Sequence, residues 1–193
     1  MKKIAKIFLC VLFISISMIS CSQGNKGGKI SNTNKTLIIY YSASGTTEKV
    51  AKELQRKTKG DIYFIKTNTP YSTDQEVLGK EMALERENGN IRELSGELPD
   101  LSNYDLILIG GPVWSGEPSN PIQKYLSITD FNGKKVAGFW TAYGEPGDYA
   151  NVFKKLVKNV ELHEGLSLIN TDVSNEKELE SKINTWLSTL GIL

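Results

Sequence analysis

The chain has 193 residues, enough for one domain with a substantial hydrophobic core, and its 23 basic and 22 acidic residues give a formal net charge of +1. Its two cysteines are Cys10 and Cys21, so the sequence beyond residue 21 excludes a disulfide framework, a cysteine nucleophile and a thiolate metal site. The balanced charge argues against nucleic acid as a partner, because surfaces that bind nucleic acid are normally basic.

The N-terminus has the pattern of a secretory signal peptide. Three lysines precede an apolar run over residues 7–19, which is shorter than the roughly 20 residues that span a bilayer. The stretch Met18-Ile19-Ser20-Cys21 resembles a bacterial lipobox, in which the cysteine is acylated and becomes the mature N-terminus. We therefore predict a lipoprotein signal peptide over 1–20, acylated Cys21 with a flexible tether over 21–35, and a folded domain over 36–193.

This organisation predicts a lipoprotein anchored in the membrane at its extracytoplasmic face. A plain signal peptide or an uncleaved anchor is the alternative. Without the three lysines of the signal peptide the chain has 20 basic and 22 acidic residues, a net charge of −2. This charge again argues against nucleic acid as a partner. The lipid anchor is the expected contact with the membrane.

The folded part opens with the most informative stretch of the sequence. A β-rich apolar run predicts a strand over 36–41, and helical spacing of apolar residues predicts a helix over 48–58. Between them lies the loop of residues 42–47, whose hydroxyls can donate hydrogen bonds and whose glycine lets the backbone approach a ligand: Ser42, Ser44, Gly45, Thr46 and Thr47. Backbone N–H groups at a helix N-terminus attract anions. The loop has no Lys or Arg, so it predicts a phosphate site made of neutral donors; an ordinary helix cap is the alternative.

Strands and helices alternate through the rest of the chain. Further strands are predicted over 61–66, 105–110, 135–141 and 164–170, and further helices over 73–88, 121–127, 148–158 and 176–190. In the helix over 73–88, we expect Val77, Leu78 and Met82 to form the buried stripe and residues 85–87 to form a solvated surface.

Five alternations predict an α/β protein with a doubly wound, five-stranded parallel sheet, joined by right-handed crossovers. Ligands of such sheets bind at the carboxyl ends of the strands, where the strand order switches. The loops 42–47, 111–116 and 142–147 should meet there, and they contain the chemically unusual residues. Trp114 and Tyr143 suit a planar ring, so the three loops fit a ligand with a phosphate at one end and a ring at the other. The alternative is that both aromatic residues only cover the rim of the core.

Two motifs in this order resemble the flavodoxin-like family, within it the flavodoxin-like reductase branch of bacteria. Ser42-Ala43-Ser44-Gly45-Thr46-Thr47 is similar to the family's phosphate loop, and Gly111-Pro112-Val113-Trp114-Ser115-Gly116 is similar to the branch's Gly-x-Pro-x-Trp-x-Gly. The Pro70-Tyr71 stretch and the Glu-rich helix after it also match. The resemblance covers residues 36–193 and implies the flavodoxin-like strand order 2-1-3-4-5.

The resemblance also implies that FMN is bound noncovalently. Carried over by position, the phosphate would lie on the loop 42–47, and the ring would lie between residues of the other two loops: Pro112, Val113, Trp114, Ser115 and Gly116 on one side, Ala142, Tyr143 and Gly144 on the other. His163 is the chain's single histidine and is expected to be structural, and no catalytic side chain is predicted.

The function implied is an oxidoreductase that passes electrons from FMN to a quinone-like or other small acceptor. An electron carrier with a protein redox partner is one alternative, although carriers of this fold tend to be markedly acidic and the net charge here is −2. A lipoprotein that kept the fold and lost the cofactor is another. Motifs for phosphoacceptor, phosphatase and P-loop chemistry are absent from the sequence.

Overall fold

The computed structural model describes residues 35–193, so the predicted signal peptide, Cys21 and the tether up to residue 34 lie outside the described residues. Strands and helices follow one another within this span as β1 (Thr36–Tyr40), α1 (Thr46–Thr58), β2 (Asp61–Phe64), β3 (Lys66–Thr67), α2 (Gln75–Glu87), β4 (Leu94–Ser95), β5 (Leu106–Trp114), β6 (Glu117–Pro118), α3 (Asn120–Ile128), β7 (Lys135–Ala142), α4 (Tyr149–Leu156), β8 (Glu161–Ile169), α5 (Asn170–Ser174) and α6 (Glu176–Thr189). None of the helices in the described part is both long and apolar enough to cross a bilayer.

The main sheet has the predicted topology. Its order is β2-β1-β5-β7-β8 with all neighbours parallel, which is the order 2-1-3-4-5 when the five long strands are counted along the chain. β6 pairs with the end of β5, and β3 with β4 forms a separate two-stranded antiparallel sheet. The expectation of a doubly wound, flavodoxin-like α/β fold is therefore confirmed.

Both faces of the sheet are covered because the central strands are apolar throughout. Alternate residues of one strand enter different cores, so that Ile107 packs with α3 and α4 while Leu108 packs with α1 and α6. The apolar residues of each helix recur at helical spacing and face the nearer core. This two-sided burial aligns β1, β5 and β7 so that their carboxyl ends lie side by side.

The second predicted loop, over 111–116, is mostly strand. β5 continues beyond Gly110 to Trp114, turns at Ser115 and Gly116, whose φ angles are 48° and 78°, and returns as β6. Two successive residues with positive φ make the tight turn whose twist matches a hairpin. The predicted strand ended too early because the sequence of β5 alone does not reveal the pairing of Trp114 with Glu117.

Smaller differences occur at elements whose existence depends on distant contacts. β8 begins at Glu161, three residues earlier than predicted, because its charged first residues lie on an edge strand that is partly exposed. The short α5 and the pair of β3 with β4 were not predicted. In α2, Leu78 is buried as expected, but Val77 is 47% exposed, so the predicted buried stripe is wrong at that position.

The packing of β5 on β7 can be tested by a substitution at Gly110. A Cβ atom there would lie 2.2 Å from the Phe139 ring, so Gly110→Ala should destabilise the protein by about 1–3 kcal/mol through overpacking. Gly79→Ala is the matched control, because a Cβ atom at this position in α2 meets nothing within 4 Å and should stabilise the helix by about 0.5–1 kcal/mol. Urea unfolding followed by circular dichroism measures both changes; an unchanged midpoint for Gly110→Ala would contradict the packing of β5 on β7.

Candidate cofactor-binding site

The three predicted loops meet in one cleft at the carboxyl ends of β1, β5 and β7. Nine of the thirteen predicted site residues line it: Ser42, Ser44, Thr46, Thr47, Pro112, Val113, Trp114, Ala142 and Tyr143. The sequence interpretation missed five further lining residues, which come from the first loop, α2, the end of β7 and α5: Ala43, Gln75, Leu78, Thr141 and Asn170. The cleft encloses about 140 Å³, less than the roughly 300–1,000 Å³ of sites that engulf a ligand, so a ligand here keeps part of its surface exposed.

The first loop presents an open helix N-terminus. Gly45 is the N-cap of α1 with φ 89°, a left-handed conformation that favours glycine, and its N–H donates to Ser42 Oγ at 3.1 Å. Within residues 35–193, the amides of Thr46, Thr47 and Glu48 have no hydrogen-bond acceptor. Three unpaired N–H groups at the positive end of a helix dipole fit an anionic group such as a phosphate.

The hydroxyls of this loop divide into two kinds. Ser44 Oγ and Thr46 Oγ1 lie 3.3 Å apart at the surface of the cleft and are available to a ligand. The Thr47 side chain is buried, and its hydroxyl is hydrogen-bonded to Thr141 Oγ1 at 2.7 Å. Thr47 therefore offers an anion its amide, while its hydroxyl ties the first loop to the end of β7.

The two predicted aromatic site residues, Trp114 and Tyr143, differ in their exposure to solvent. Trp114 is buried, 7% exposed, and packs edge-on against Tyr41 with ring centres 5.7 Å apart and against Tyr71 at 4.9 Å. The Trp114 side chain is thus mainly part of the core, because β5 directs it inward, and the rest of it lines the cleft. Tyr143 is 94% exposed and is the flat side chain at the mouth of the cleft.

The second and third loops contact each other backbone to backbone. A Cβ atom at Gly147 would lie 2.5 Å from Gly116 Cα, so the third loop has no room for a side chain at that contact. Ser115, Gly116 and Gly144, which were predicted to face the ring, do not line the cleft, and Gly45 borders a neighbouring groove instead. For the second loop the hairpin turn explains this, because it places Gly116 against Gly147 of the third loop and leaves Ser115 exposed.

Residues 85–87, predicted to form a solvated surface, include a key part of a polar network. Glu85 accepts hydrogen bonds from the Tyr71 hydroxyl, from Arg92 Nε and, at 2.9 Å, from Asn120 Nδ2, and the Arg92 guanidinium lies 3.6 Å from the centre of the Tyr71 ring. Arg86 Nε donates to the fully buried Asn120 at 2.8 Å. The prediction is wrong for Glu85 and Arg86, whose partners are far away in sequence.

The network holds Tyr71 behind Trp114 and keeps the Glu85 carboxylate ionised. Burial alone would raise the pKa of Glu85, but hydrogen bonds from Asn120, Tyr71 and Arg92 hold that pKa below its ordinary value. Burial, with the contact to Glu85, raises the pKa of Tyr71, so Tyr71 stays a neutral donor. The network thus fixes the segment between β2 and α3 against the aromatic wall of the cleft.

A doubly wound parallel sheet, with an open helix N-terminus after its first long strand and aromatic residues at the carboxyl ends of its third and fourth, defines a class of α/β proteins that bind phosphorylated cofactors. The family model described as flavodoxin matches residues 35–190, and the chain belongs to the flavodoxin family. The family resemblance expected from the two motifs is therefore confirmed.

Solved structures support this assignment. The chain is 30% identical to a flavoprotein from Lactobacillus acidophilus solved in complex with FMN, covering 79% of this chain and 98% of that one with a TM-score of 0.65. It is 26% identical to a protein from Bacteroides eggerthii that has been proposed to be a flavoprotein, covering 81% and 98% with a TM-score of 0.69. A flavodoxin, WrbA-like protein from Agrobacterium tumefaciens shares the fold at 19% identity, covering 82% and 96% with a TM-score of 0.53. No curated protein matches the chain.

The Glu85 network predicts a specific dependence of stability on pH. A carboxyl whose pKa is lowered by folding contributes stability above its unfolded pKa of about 4.3, and that stability is lost as the pH falls through the folded value. The free energy of unfolding should therefore fall between pH 5 and pH 3 more steeply in the wild type than in Glu85→Gln. Glu87→Gln, at an exposed position two residues away, is the control and should keep the wild-type slope. Equal slopes for Glu85→Gln and the wild type would contradict the network.

Proposed function

We propose that this protein is an FMN-binding oxidoreductase that passes electrons to a quinone-like or other small acceptor. The observation that carries the proposal is the cluster of unpaired amides at Thr46, Thr47 and Glu48, beside the left-handed Gly45 and inside a cleft with an exposed aromatic side chain. Binding of FMN by the Lactobacillus acidophilus flavoprotein supports the choice of ligand. FMN, when bound, supplies the hydride and electron transfer chemistry.

The residues of the cleft have separate tasks. The amides of the α1 N-terminus and the hydroxyls of Ser44 and Thr46 would bind the phosphate, and the bond between Thr47 and Thr141 keeps that loop beside β7. Pro112, Val113 and Trp114 would form one side of the ring site, and Ala142 and Tyr143 would form the other, as the sequence resemblance implied. Ser115, Gly116 and Gly144 would act only through the shape of the backbone.

Charge around the cleft bears on the chemistry. None of the residues lining it is Lys or Arg, and Glu145 is the single charged residue of the three loops. The protein thus offers no cation there to stabilise electrons taken up at the site, and we expect a low reduction potential. The shallow cleft would leave an edge of the ring accessible to an acceptor, and a separate reductant would have to supply the electrons.

We also propose that the protein acts as a lipoprotein at the extracytoplasmic face of the membrane. The proposal rests on the lipobox-like Met18-Ile19-Ser20-Cys21 after a basic and apolar segment. A single lipid chain binds membranes only marginally, so stable anchoring would require the several chains of an acylated and modified N-terminal cysteine. The folded domain would then reach its partners from a tether that is rich in Ser, Gly, Asn and Lys.

Two other functions would use the same fold. An electron carrier would bind FMN but would fail to reduce quinones after photoreduction. A lipoprotein without cofactor would not bind FMN at all. The hydrogen bond of the Thr47 hydroxyl to Thr141 and the packing of Trp114 on Tyr71 favour this alternative, because both side chains already have partners within the protein. The open amides of α1 favour FMN binding over it.

Binding of FMN is tested on the chain from residue 22 to residue 193. When FMN binds, its absorption bands at about 375 and 450 nm should shift and its fluorescence should be quenched. Thr46→Ala removes one donor to a charged phosphate and should weaken FMN binding by about tenfold, whereas Thr185→Ala, an exposed threonine in α6, should leave it unchanged. If the added FMN kept the absorption bands and fluorescence of free FMN, the proposed function would be overturned.

Anchoring is tested in the full-length chain expressed in a bacterial host. Wild-type protein should incorporate labelled palmitate and sediment with the membranes, and Cys21→Ser should lose the label because the acylated sulfur is gone. Cys10→Ser is the matched control, since it changes the other cysteine within the signal segment. Equal labelling of Cys21→Ser and the wild type would show that Cys21 is not the lipid attachment site.

A further inference from the structure

A second cleft lies next to the candidate cofactor site. It encloses about 400 Å³, within the range of small-molecule sites, and residues from the segment after β1, from β2, from β3 and from the segment before α2 line it, among them Tyr41, Phe64, Lys66, Pro70, Tyr71 and Thr73. Ser42 and Ala43 form a wall that is common to both clefts. The second cleft therefore adjoins the first residues of the phosphate loop, on the β2 side of the sheet.

The walls of the second cleft are mostly aromatic. The rings of Tyr41 and Phe64 are nearly parallel, with centres 6.1 Å apart and an angle of 11° between planes, and Tyr71 meets Tyr41 edge-on at 6.1 Å. Phe64 is 38% exposed although it ends a strand of the main sheet. An exposed ring beside other aromatic rings provides a flat apolar surface on which a planar molecule can stack.

Polar groups at the same walls select the chemistry of such a molecule. The Tyr41 hydroxyl has no hydrogen-bond partner in the described part of the chain, and burial raises the pKa of Tyr41 to about 12, so it remains a neutral O–H donor. The Lys66 ammonium forms no ion pair within residues 35–193. Two unpaired donors beside aromatic rings fit a planar ligand that carries oxygen acceptors.

The two clefts also share aromatic contacts. Trp114, which lines the first cleft, packs edge-on against both Tyr41 and Tyr71, which line the second. The network around Glu85 and Arg92 holds Tyr71 in this position from behind. Contacts between aromatic rings thus connect the two clefts, beside the wall that Ser42 and Ala43 form.

We propose that the second cleft binds a planar aromatic carbonyl compound of the quinone class, stacked on Phe64 with its oxygens toward Lys66 and Tyr41. This rests on the proposed function, for which it supplies the position of the acceptor. Binding requires no FMN, because the stacking ring and both donors belong to this cleft alone.

The test is a ¹H–¹⁵N chemical-shift titration of the chain from residue 22 to residue 193, which contains both hydrophobic cores whole. The probe is 1,4-naphthoquinone, and this span has no cysteine for it to alkylate. Without FMN, the quinone should shift the amides of residues 64–66 and 71–73, and FMN alone should shift those of residues 44–48. Larger quinone shifts at 112–114 and 142–143 than at 64–66 would overturn the proposal.

Variants separate stacking from unfolding. Phe64→Ala should raise the dissociation constant of 1,4-naphthoquinone by about fivefold, the value of one aromatic stacking contact, and should leave FMN binding unchanged. Leu84→Ala removes another exposed apolar side chain, in α2, and should change neither constant. Lys66→Gln, on an exposed side chain, should weaken quinone binding without changing the unfolding curve. Unchanged quinone affinity in both Phe64→Ala and Lys66→Gln would contradict the site.

Naphthalene tests the chemical class, because it has the same rings without oxygens. It should bind at least about fivefold more weakly than 1,4-naphthoquinone, and equal affinity would refute the assignment to carbonyl compounds. Failure of the proposed function has a different signature: the quinone would still shift residues 64–66 in a Phe64-dependent manner, while FMN would shift nothing. FMN binding without any quinone response would overturn the second cleft alone.

Discussion

The central strand β5 has no side chain at Gly110 and Gly111, and the packing of both sheet faces depends on this. The Phe139 ring occupies the space of the missing side chain on one face, and Ile122 of α3 occupies it on the other, where a Cβ atom at Gly111 would lie 2.5 Å away. Because α3 can approach so closely, β5 is buried up to Gly111, and the strand continues to Trp114, where it forms the hairpin with β6. The position of the second site loop therefore follows from two glycines in the core.

The candidate site is held by polar contacts that join segments far apart in sequence. The hydrogen bond between Thr47 and Thr141 fastens the α1 N-terminus to β7, and the Glu85 network fastens the segment before β4 to α3. Both lie in partly or fully buried surroundings, where an unpaired partner would carry a large desolvation cost. Such contacts keep the amides of α1 in place before a ligand arrives, so less conformational entropy is lost when the ligand binds.

The sequence allowed the parallel sheet and the meeting of the three loops to be predicted, because apolar runs and helical spacing are local signals and parallel topology then decides where loops lie. The strand order was implied only by the resemblance to the flavodoxin-like family. Features that depend on pairing across the fold could not be found in this way. The packing of Trp114 on Tyr41 and Tyr71 could not be predicted because these partners are distant in sequence, and Glu85 was predicted to be solvated for the same reason. Gln75 and Asn170 reach the cleft only through helices whose docking no local pattern specifies.

The contact between Gly116 and Gly147 divides the rim of the cleft into parts with unequal freedom to vary. A side chain at Gly147 would separate the hairpin from the third loop, so this stretch of backbone can change little during evolution. Tyr143 is almost fully exposed, and a Cβ atom at the neighbouring Gly144 would meet nothing within 4 Å. The side chains at 143 and 144 are therefore free to differ between homologues, so the mouth of the cleft can change while the two loops and the fold beneath them stay the same.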